Sequence, residues 1–304
     1  MKRLTGVFAL ALALIVAACG NANKDKNGNP VTSGGKDKVE LTQGSGLTIA
    51  MVTHSDEGSF WSVVKKGAQQ AAKDEGVKLI WSPSNNDPQK QAQLIDAAVS
   101  QKVDGLAVSV PNADAIKGSL AKAKAAGIPI VTLNSGADQF KQLGAITHVG
   151  QDEAIAGQAA GARFKSEGVK KVLCVIHEQN NIGLQPRCDG VKKGFGGDVT
   201  NLQVKGTADI ADAVGTAIKG ASSNAKLATF DLSPNVLKRI KAGTIEFAVD
   251  QQQYLQGYLP IVFLKLFKAN ANTVGGGQPV LTGPGFVDKG NADTVEKLAG
   301  EGTR

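Results

Sequence analysis

The residues of this chain best placed to do chemistry exchange hydrogen bonds rather than break covalent ones. Asp250 is followed by three consecutive glutamines, Gln251, Gln252 and Gln253, between an apolar run at 244–249 and a longer one at 259–267. Such a stretch presents amide donors and acceptors from one short piece of backbone, which suits a ligand carrying many hydroxyls. The alternative is a polar loop feeding a helix. Four more polar stretches each follow an apolar run: Thr53-His54-Ser55-Asp56, Ser84-Asn85-Asn86-Asp87, Pro111-Asn112-Ala113-Asp114 and Asn134-Ser135. They are uncharged or acidic, which fits a neutral polyhydroxylated ligand better than a phosphate. His54, Asp56 and Glu57 could be drawn as an acid–base group, but no nucleophile elbow, paired-carboxylate motif or HExxH spacing accompanies them. The expectation is a binding protein that is not an enzyme and takes no cofactor and no metal.

A repeating frame holds these stretches. Apolar runs at 47–52, 77–81, 103–110 and 128–133 alternate with amphipathic stretches at 60–75, 88–101 and 114–126, whose apolar residues recur at helical spacing. A βαβαβαβ rhythm with near-continuously apolar strands predicts a parallel sheet covered by helices on both faces. Ligands of such sheets bind in the crevice beyond the carboxyl ends of the strands, which is where the polar stretches fall. A second unit begins near 146, with an Ala/Gly-rich helix at 151–164 and a strand at 171–176 ending in His177-Glu178-Gln179-Asn180-Asn181. Strands at 199–204, 227–230 and 244–249 follow, with helices at 187–195, 211–221, 234–242 and 255–268. The runs 280–281 and 285–287 read as crossover strands before a short terminal helix.

Composition is that of a globular protein, 42% apolar and 20% charged, and a formal charge of +7 is interleaved with acids along the chain. No block of like charges marks a nucleic-acid partner. Lys2-Arg3 precede the apolar run 7–18, which ends in Val16-Ala17-Ala18-Cys19. This predicts a secretory signal peptide at 1–18, too short to span a membrane. The VAAC stretch resembles a bacterial lipobox, with Cys19 as the lipidated residue and its acyl chains as a membrane anchor. Residues 19–46 are rich in Asn, Lys, Gly and Ser, so a disordered tether is expected there. Cys174 and Cys188 remain. In an exported protein the pair favours a disulfide, with a metal pair beside His177 as the alternative.

The motifs SDEGSFW (55–61), SNNDPQKQ (84–91), VPNADA (110–115) and GIPIVTLNSG (127–136) are followed by HVGQDE (148–153), RCDG (187–190), FDLSPNVLKRIKAG (230–243) and DQQQYLQGY (250–258). As an ordered set they resemble the sugar-type periplasmic substrate-binding proteins of ABC importers, the ribose-binding group, from about residue 47 onward. The resemblance implies an α/β fold of two doubly wound parallel-sheet lobes joined by a multi-strand hinge, a type I periplasmic binding protein. Residues 47–134 plus 252–279 would form the N-terminal lobe, and 135–251 plus 280–304 the C-terminal lobe. It also implies ligand contacts at Phe60 and Trp61, whose rings take the C–H faces of a sugar, and at Asn86, Asp114, Asn134, Arg187, Asp231 and Gln251. One departure is visible. Between 199–204 and 227–230 there is room for one helix where the family has helix, strand and helix. The second lobe is therefore expected to lack one helix–strand unit near Thr207-Ala208-Asp209, with Asp209 or Asp212 as local substitutes for the lost contact.

The implied function is a monomeric, lipid-anchored receptor on the outer face of the cytoplasmic membrane. It would capture a monosaccharide or polyol and deliver it to an ABC permease. The alternatives are a receptor that senses sugar for signalling or chemotaxis, and a transport-inactive truncated homologue. A sugar-responsive transcription regulator would need a helix-turn-helix where the export signal stands.

Overall fold

The computed structural model describes residues 46–205 and 210–304. The expected signal peptide, Cys19, nearly all of the tether and the join at Thr207-Ala208-Asp209 lie outside the described residues. In chain order the first elements are β1 (Thr48–Thr53), α1 (Gly58–Glu75), β2 (Lys78–Pro83), α2 (Pro88–Ser100), β3 (Gly105–Ser109), α3 (Ala113–Ala125), β4 (Ile130–Asn134) and β5 (Thr147–Gly150). Then come α4 (Glu153–Ser166), β6 (Lys171–Ile176), α5 (Leu184–Phe195), β7 (Asp198–Gln203), α6 (Ile210–Gly220), β8 (Thr229–Phe230) and α7 (Pro234–Lys241). The last are β9 (Phe247–Asp250), α8 (Gln253–Asn270), β10 (Val280–Leu281), β11 (Gly285–Asp288) and α9 (Ala292–Gly300).

The apolar runs of the first half form a six-stranded sheet in the order β10-β5-β4-β3-β1-β2, with every pairing parallel. Side chains alternate across it. Ile49 and Met51 face α1 and α8, packed with Val64, Ala68, Ile261 and Leu264. Ala50 and Val52 face α2 and α3, packed with Ile95, Ile116 and Leu120. The helices start where short polar side chains can cap them. Asp87 accepts from the Gln89 and Lys90 amides with Pro88 at the first helical position, and Asn112 accepts from Ala115 N. Each cap comes directly after a strand, so capping and the polar strand edge are served by the same residues.

The strand β5 was not expected. Its sequence, Thr-His-Val-Gly, is short and half polar, but His148 bonds Thr132 Oγ1 of the neighbouring strand at 3.0 Å. Burial lowers the His148 pKa to about 4, so it sits in the sheet as a neutral ring. Residues 147–150 and 280–281 thus belong to the first sheet, not to the second lobe to which 135–251 and 280–304 were assigned.

The second half is built differently from the uniform parallel sheet expected. β6 and β7 pair with each other, and β11-β9-β8 form a separate sheet in which β9 and β11 run antiparallel. Among the described residues no strand pairs β6 with β8. One face of β6–β7 lies against α4 and α5 through Val172 and Val199, packed with Ala156, Ala160, Val191 and Phe195. On the opposite face Leu173 is 59% and Leu202 45% exposed. α4 and α5 meet closely. A Cβ on Gly157 would overlap the Arg187 carbonyl oxygen, and one on Gly190 the Ala154 carbonyl oxygen. A disulfide joins Cys174 of β6 to Cys188 of α5, with the Cα atoms 5.8 Å apart.

Two outcomes follow from this asymmetry. A two-stranded ribbon with one wet face is only marginally stable by itself. Amides of β6 and β7 should therefore exchange with deuterium at least ~100-fold faster than those of β1 and β3, read by mass spectrometry. The disulfide closes a loop with a sequence separation of 14. The double variant Cys174→Ser/Cys188→Ser should lose about 3 kcal/mol of unfolding free energy in urea titrations.

Candidate functional site

Polar strand edges from both halves of the molecule converge. His54, just after β1, receives the Ser109 hydroxyl at the end of β3: its amide donates to Ser109 Oγ at 2.8 Å, and its Nδ1 lies 2.9 Å from the same oxygen. Its ring stands edge-on to Trp61 at 4.8 Å, and its Nε2 lies 4.0 Å from Glu178 Oε2, which follows β6. Burial lowers the His54 pKa to about 4 despite the pull of Glu178, so this ring is neutral at physiological pH. A cavity of about 250 Å³ lies between these edges, lined among others by His54, Ser84, Asn86, Asn112, Glu178 and Asn181. Further bonds cross it. Ile182 N donates to Pro111 O at 3.1 Å, and Ser135 Oγ donates to Asn181 Oδ1 at 3.3 Å. Asn181 Nδ2 in turn donates to Glu178 Oε2 at 2.8 Å.

A second set of side chains gathers where the chain passes between the sheets. Arg187 Nε donates to Glu153 Oε2 at 2.6 Å, with both side chains 14% exposed. The guanidinium lies over the Phe230 ring, 3.9 Å from its centroid. Among the described residues neither of its Nη atoms donates a hydrogen bond, so the fork is held from behind with its far end free. Next to Phe230, Asp231 accepts from Gln251 Nε2 at 2.7 Å. Its φ of 72° places it in the left-handed region directly after β8. Burial raises the Asp231 pKa to about 7, with Glu153 and Asp250 adding to the rise and Arg187 and the Gln251 bond opposing it.

Glutamines tie the passage together. Gln256 Nε2 donates to Gln251 O and to Thr282 Oγ1, each at 3.2 Å, and its Oε1 accepts from Asn134 Nδ2 at 3.3 Å. Gln252 Nε2 donates to Thr282 O at 2.6 Å. Arg304 Nε lies 2.8 Å from the buried Asp250 Oδ2, a charge contact rather than an aligned hydrogen bond. The amide oxygens of Gln151 and Gln251 are buried without a partner among the described residues. They are two of nine buried side-chain polar atoms left without a partner among the described residues, with the Gln253 amide oxygen and Asp250 Oδ2 nearby in the chain.

The residues expected from the resemblance divide clearly. Arg187, Asp231, Gln251 and Asn134 belong to one hydrogen-bonded and stacked network. Asn86 lines the cavity. Trp61 stands behind His54, and Phe60 packs on Trp61 at 5.1 Å; both are buried in the core under the first sheet. Asp114 is a correction. As the second residue of α3 it points away from the strand edge, is 89% exposed and pairs with Lys117 at 2.7 Å. The residue that faces the cavity is Asn112, the helix cap two positions earlier. Asp212, offered as a local substitute, pairs with Arg239 of α7 and bonds Asn235. Asp56 and Glu57 are exposed and do not join His54 in an acid–base group. Asn112, Ser135, Glu178 and Asn181 were legible as polar strand edges but not singled out, and His54 was weighed only as a member of an acid–base group. Glu153 closes the HVGQDE motif, but its pairing with Arg187 was not legible, because only the packing of α4 on α5 brings the two together.

The family described as periplasmic binding protein domain matches residues 49–214. The ribose import binding protein RbsB of Haemophilus influenzae is 27% identical over 247 residues, 71% of this chain and 83% of that protein. A crystal structure of a carbohydrate transporter from Acidothermus cellulolyticus 11B, in complex with myo-inositol, is 43% identical with a TM-score of 0.82. That match covers 85% of this chain and 100% of the other. A solute-binding protein from Burkholderia graminis C4D1M in complex with D-arabinose, at 22% identity and a TM-score of 0.71, shares the fold. These relatives are substrate-binding proteins, not enzymes. The parallel sheet, the converging polar edges and these matches together identify the chain as a member of the periplasmic binding protein domain family, among the sugar-type solute-binding proteins of ABC transporters.

Proposed function

We propose that this chain is a lipid-anchored extracytoplasmic receptor that captures a small neutral sugar or polyol between its two halves and delivers it to a membrane permease. The observation that carries the reading is the cluster of Arg187, Asp231 and Gln251, backed by unpartnered amide oxygens and connected through Asn134 and Ser135 to the cavity between the sheets. A guanidinium fork donates two parallel bonds to adjacent oxygens, while a carboxylate and amide oxygens accept from neighbouring hydroxyls; together they fit a vicinal diol. His54, backed by Trp61 in the core, supplies part of the wall on the other side. A family of this kind works outside the cytoplasm. In this reading attachment is through acyl chains on Cys19, as the VAAC stretch suggests. The protein acts as a monomer. Its mechanism is hinge closure, in which the ligand adds contacts to both halves that only the closed form makes.

Calorimetric titration with neutral pentoses, hexoses and inositols should find at least one ligand in the micromolar range or tighter; silence across that panel would sink the proposal. Arg187→Lys keeps a cation for Glu153 but loses the fork, and should weaken that ligand by roughly 30-fold with little change in melting temperature. Asp231 gives a pH test. Its folded-state pKa lies above the ordinary carboxylate value, at about 7. The folded form therefore holds a proton the unfolded chain has lost, and this group's contribution to stability falls as pH rises through that window. Asp231→Asn should melt higher than the parent protein at pH 8, with the gap closing toward pH 4, while binding the ligand less tightly. A gap independent of pH would refute this assignment.

A further inference from the structure

We infer that Glu153 sets the charge class of the ligand: by clamping and neutralising Arg187 from behind, it leaves a fork that recognises the hydroxyls of a neutral polyol and makes the cleft reject anionic sugars. The inference rests on the binding reading above and adds to it a residue that acts through another.

The geometry is specific. Glu153 is the first residue of α4, following the Asp152 cap, and α5 carries Arg187. The two helices approach closely at Gly157 and Gly190, so Glu153 reaches Arg187 Nε at 2.6 Å with both groups largely out of water. Gln151 Nε2 also approaches Glu153 Oε2, at 3.4 Å, which leaves the carboxylate hydrogen-bonded as well as paired. Phe230 covers the guanidinium face. Nε and one face are therefore committed to the protein, and the Nη end is the part left to meet a ligand.

An unpaired arginine here would favour a carboxylate or phosphate, the best geometric and electrostatic match for its fork. Glu153 removes that preference. Asp231 and Glu178 also act on Arg187, so among the described residues the guanidinium faces three carboxyl groups. The histidines nearby add no compensating charge, since burial lowers the pKa of both His54 and His177. Lys205 lines the cavity but is exposed, where solvent screens it. A ligand bringing a further negative charge would be repelled, whereas hydroxyls use the same Nη donors at no electrostatic cost. Closure of α4 on α5 does not depend on this pair, because glycine-mediated contact already fixes the helices; a purely structural staple would leave ligand preference unchanged.

The test compares D-ribose, myo-inositol and D-galacturonate on the parent protein, Glu153→Gln and Glu153→Asp by calorimetry, with near-UV circular dichroism as the check on folding. The parent should bind a neutral sugar and take galacturonate at least about a hundredfold more weakly. Glu153→Gln keeps an oxygen for Arg187 Nε and so should fold, and it should narrow that ratio by about tenfold or more. Glu153→Asp keeps the charge and should retain the rejection while weakening the neutral ligand. An unchanged ratio in folded Glu153→Gln overturns the inference but leaves the binding reading in place. Failure of the parent to bind any neutral sugar overturns the reading itself. A second measurement needs no ligand: the ¹³C titration of the Asp231 carboxyl should move down in Glu153→Gln, because Arg187 is then shared with one carboxylate fewer. A midpoint that stays put overturns the inference independently of any sugar.

Discussion

A chain that passes three times between two sheets must bury polar backbone at the crossings, and each buried donor or acceptor needs a partner. In this protein the side chain of Gln256 answers much of that need. From the first turn of α8 it donates to the backbone after β9 and to Thr282 after β10, and it accepts from Asn134 at the end of β4. One amide therefore holds the first sheet, the outgoing crossing and the returning crossing in register. Gly283 is part of the same constraint, since a Cβ there would press on Gln151 Oε1 and the Asp250 carbonyl. The glutamine-rich stretch is thus fastened more than it is loose. A crossing of this kind bends at a few backbone positions while its side-chain bonds keep the strands aligned.

The same low-water environment shapes the chemistry of the cleft. Burial, helped at Asp231 by the neighbouring carboxyl groups, pushes Asp231 up and the histidines down, so groups that would carry charge on the surface are held near neutrality. Arg187 cannot lose its proton, and it is balanced by Glu153 instead. The outcome is a set of donors and acceptors in which no positive charge is left over for an anion. Hydroxyl groups are matched by direction and number there, and not by charge.

The two halves of the molecule differ in how well they are built. The six-stranded sheet has helices on both faces, and Ile49, Met51, Val52 and Leu106 are almost wholly removed from water. On the other side β6–β7 and β8–β9–β11 are separate sheets that share a core through Phe247, Val249 and Phe195 without sharing a ladder. Leu173 and Leu202 show where a covering layer is thin. The disulfide and the close α4–α5 contact secure β6 and the start of α5, and through them Arg187. Stabilising contacts are concentrated where the cluster needs them, at the end of β6 and beside Cys188.

Much of the frame was legible in the chain itself. Near-continuous apolar runs between amphipathic stretches specify strands because only a sheet buried on both faces can use them, and Asp, Asn and Ser before helical stretches specify caps because they satisfy exposed amides. The polar edges that line the cavity follow from the same pattern, as do the Asp231 and Gln251 positions. Local pattern misled at Asp114, where two residues of helix turn the side chain from cleft to solvent. It was silent at β5, whose polarity is satisfied only by a neighbouring strand. Glu153 lies 34 residues from its partner Arg187 and 78 from Asp231 in the numbering, and no spacing connects them. Sequence determined which residues are polar, which segments repeat and where strands end. Tertiary structure decided which of those side chains meet, because charge pairing, burial and pKa depend on distances that only the packing of α4 on α5 and the three crossings establish.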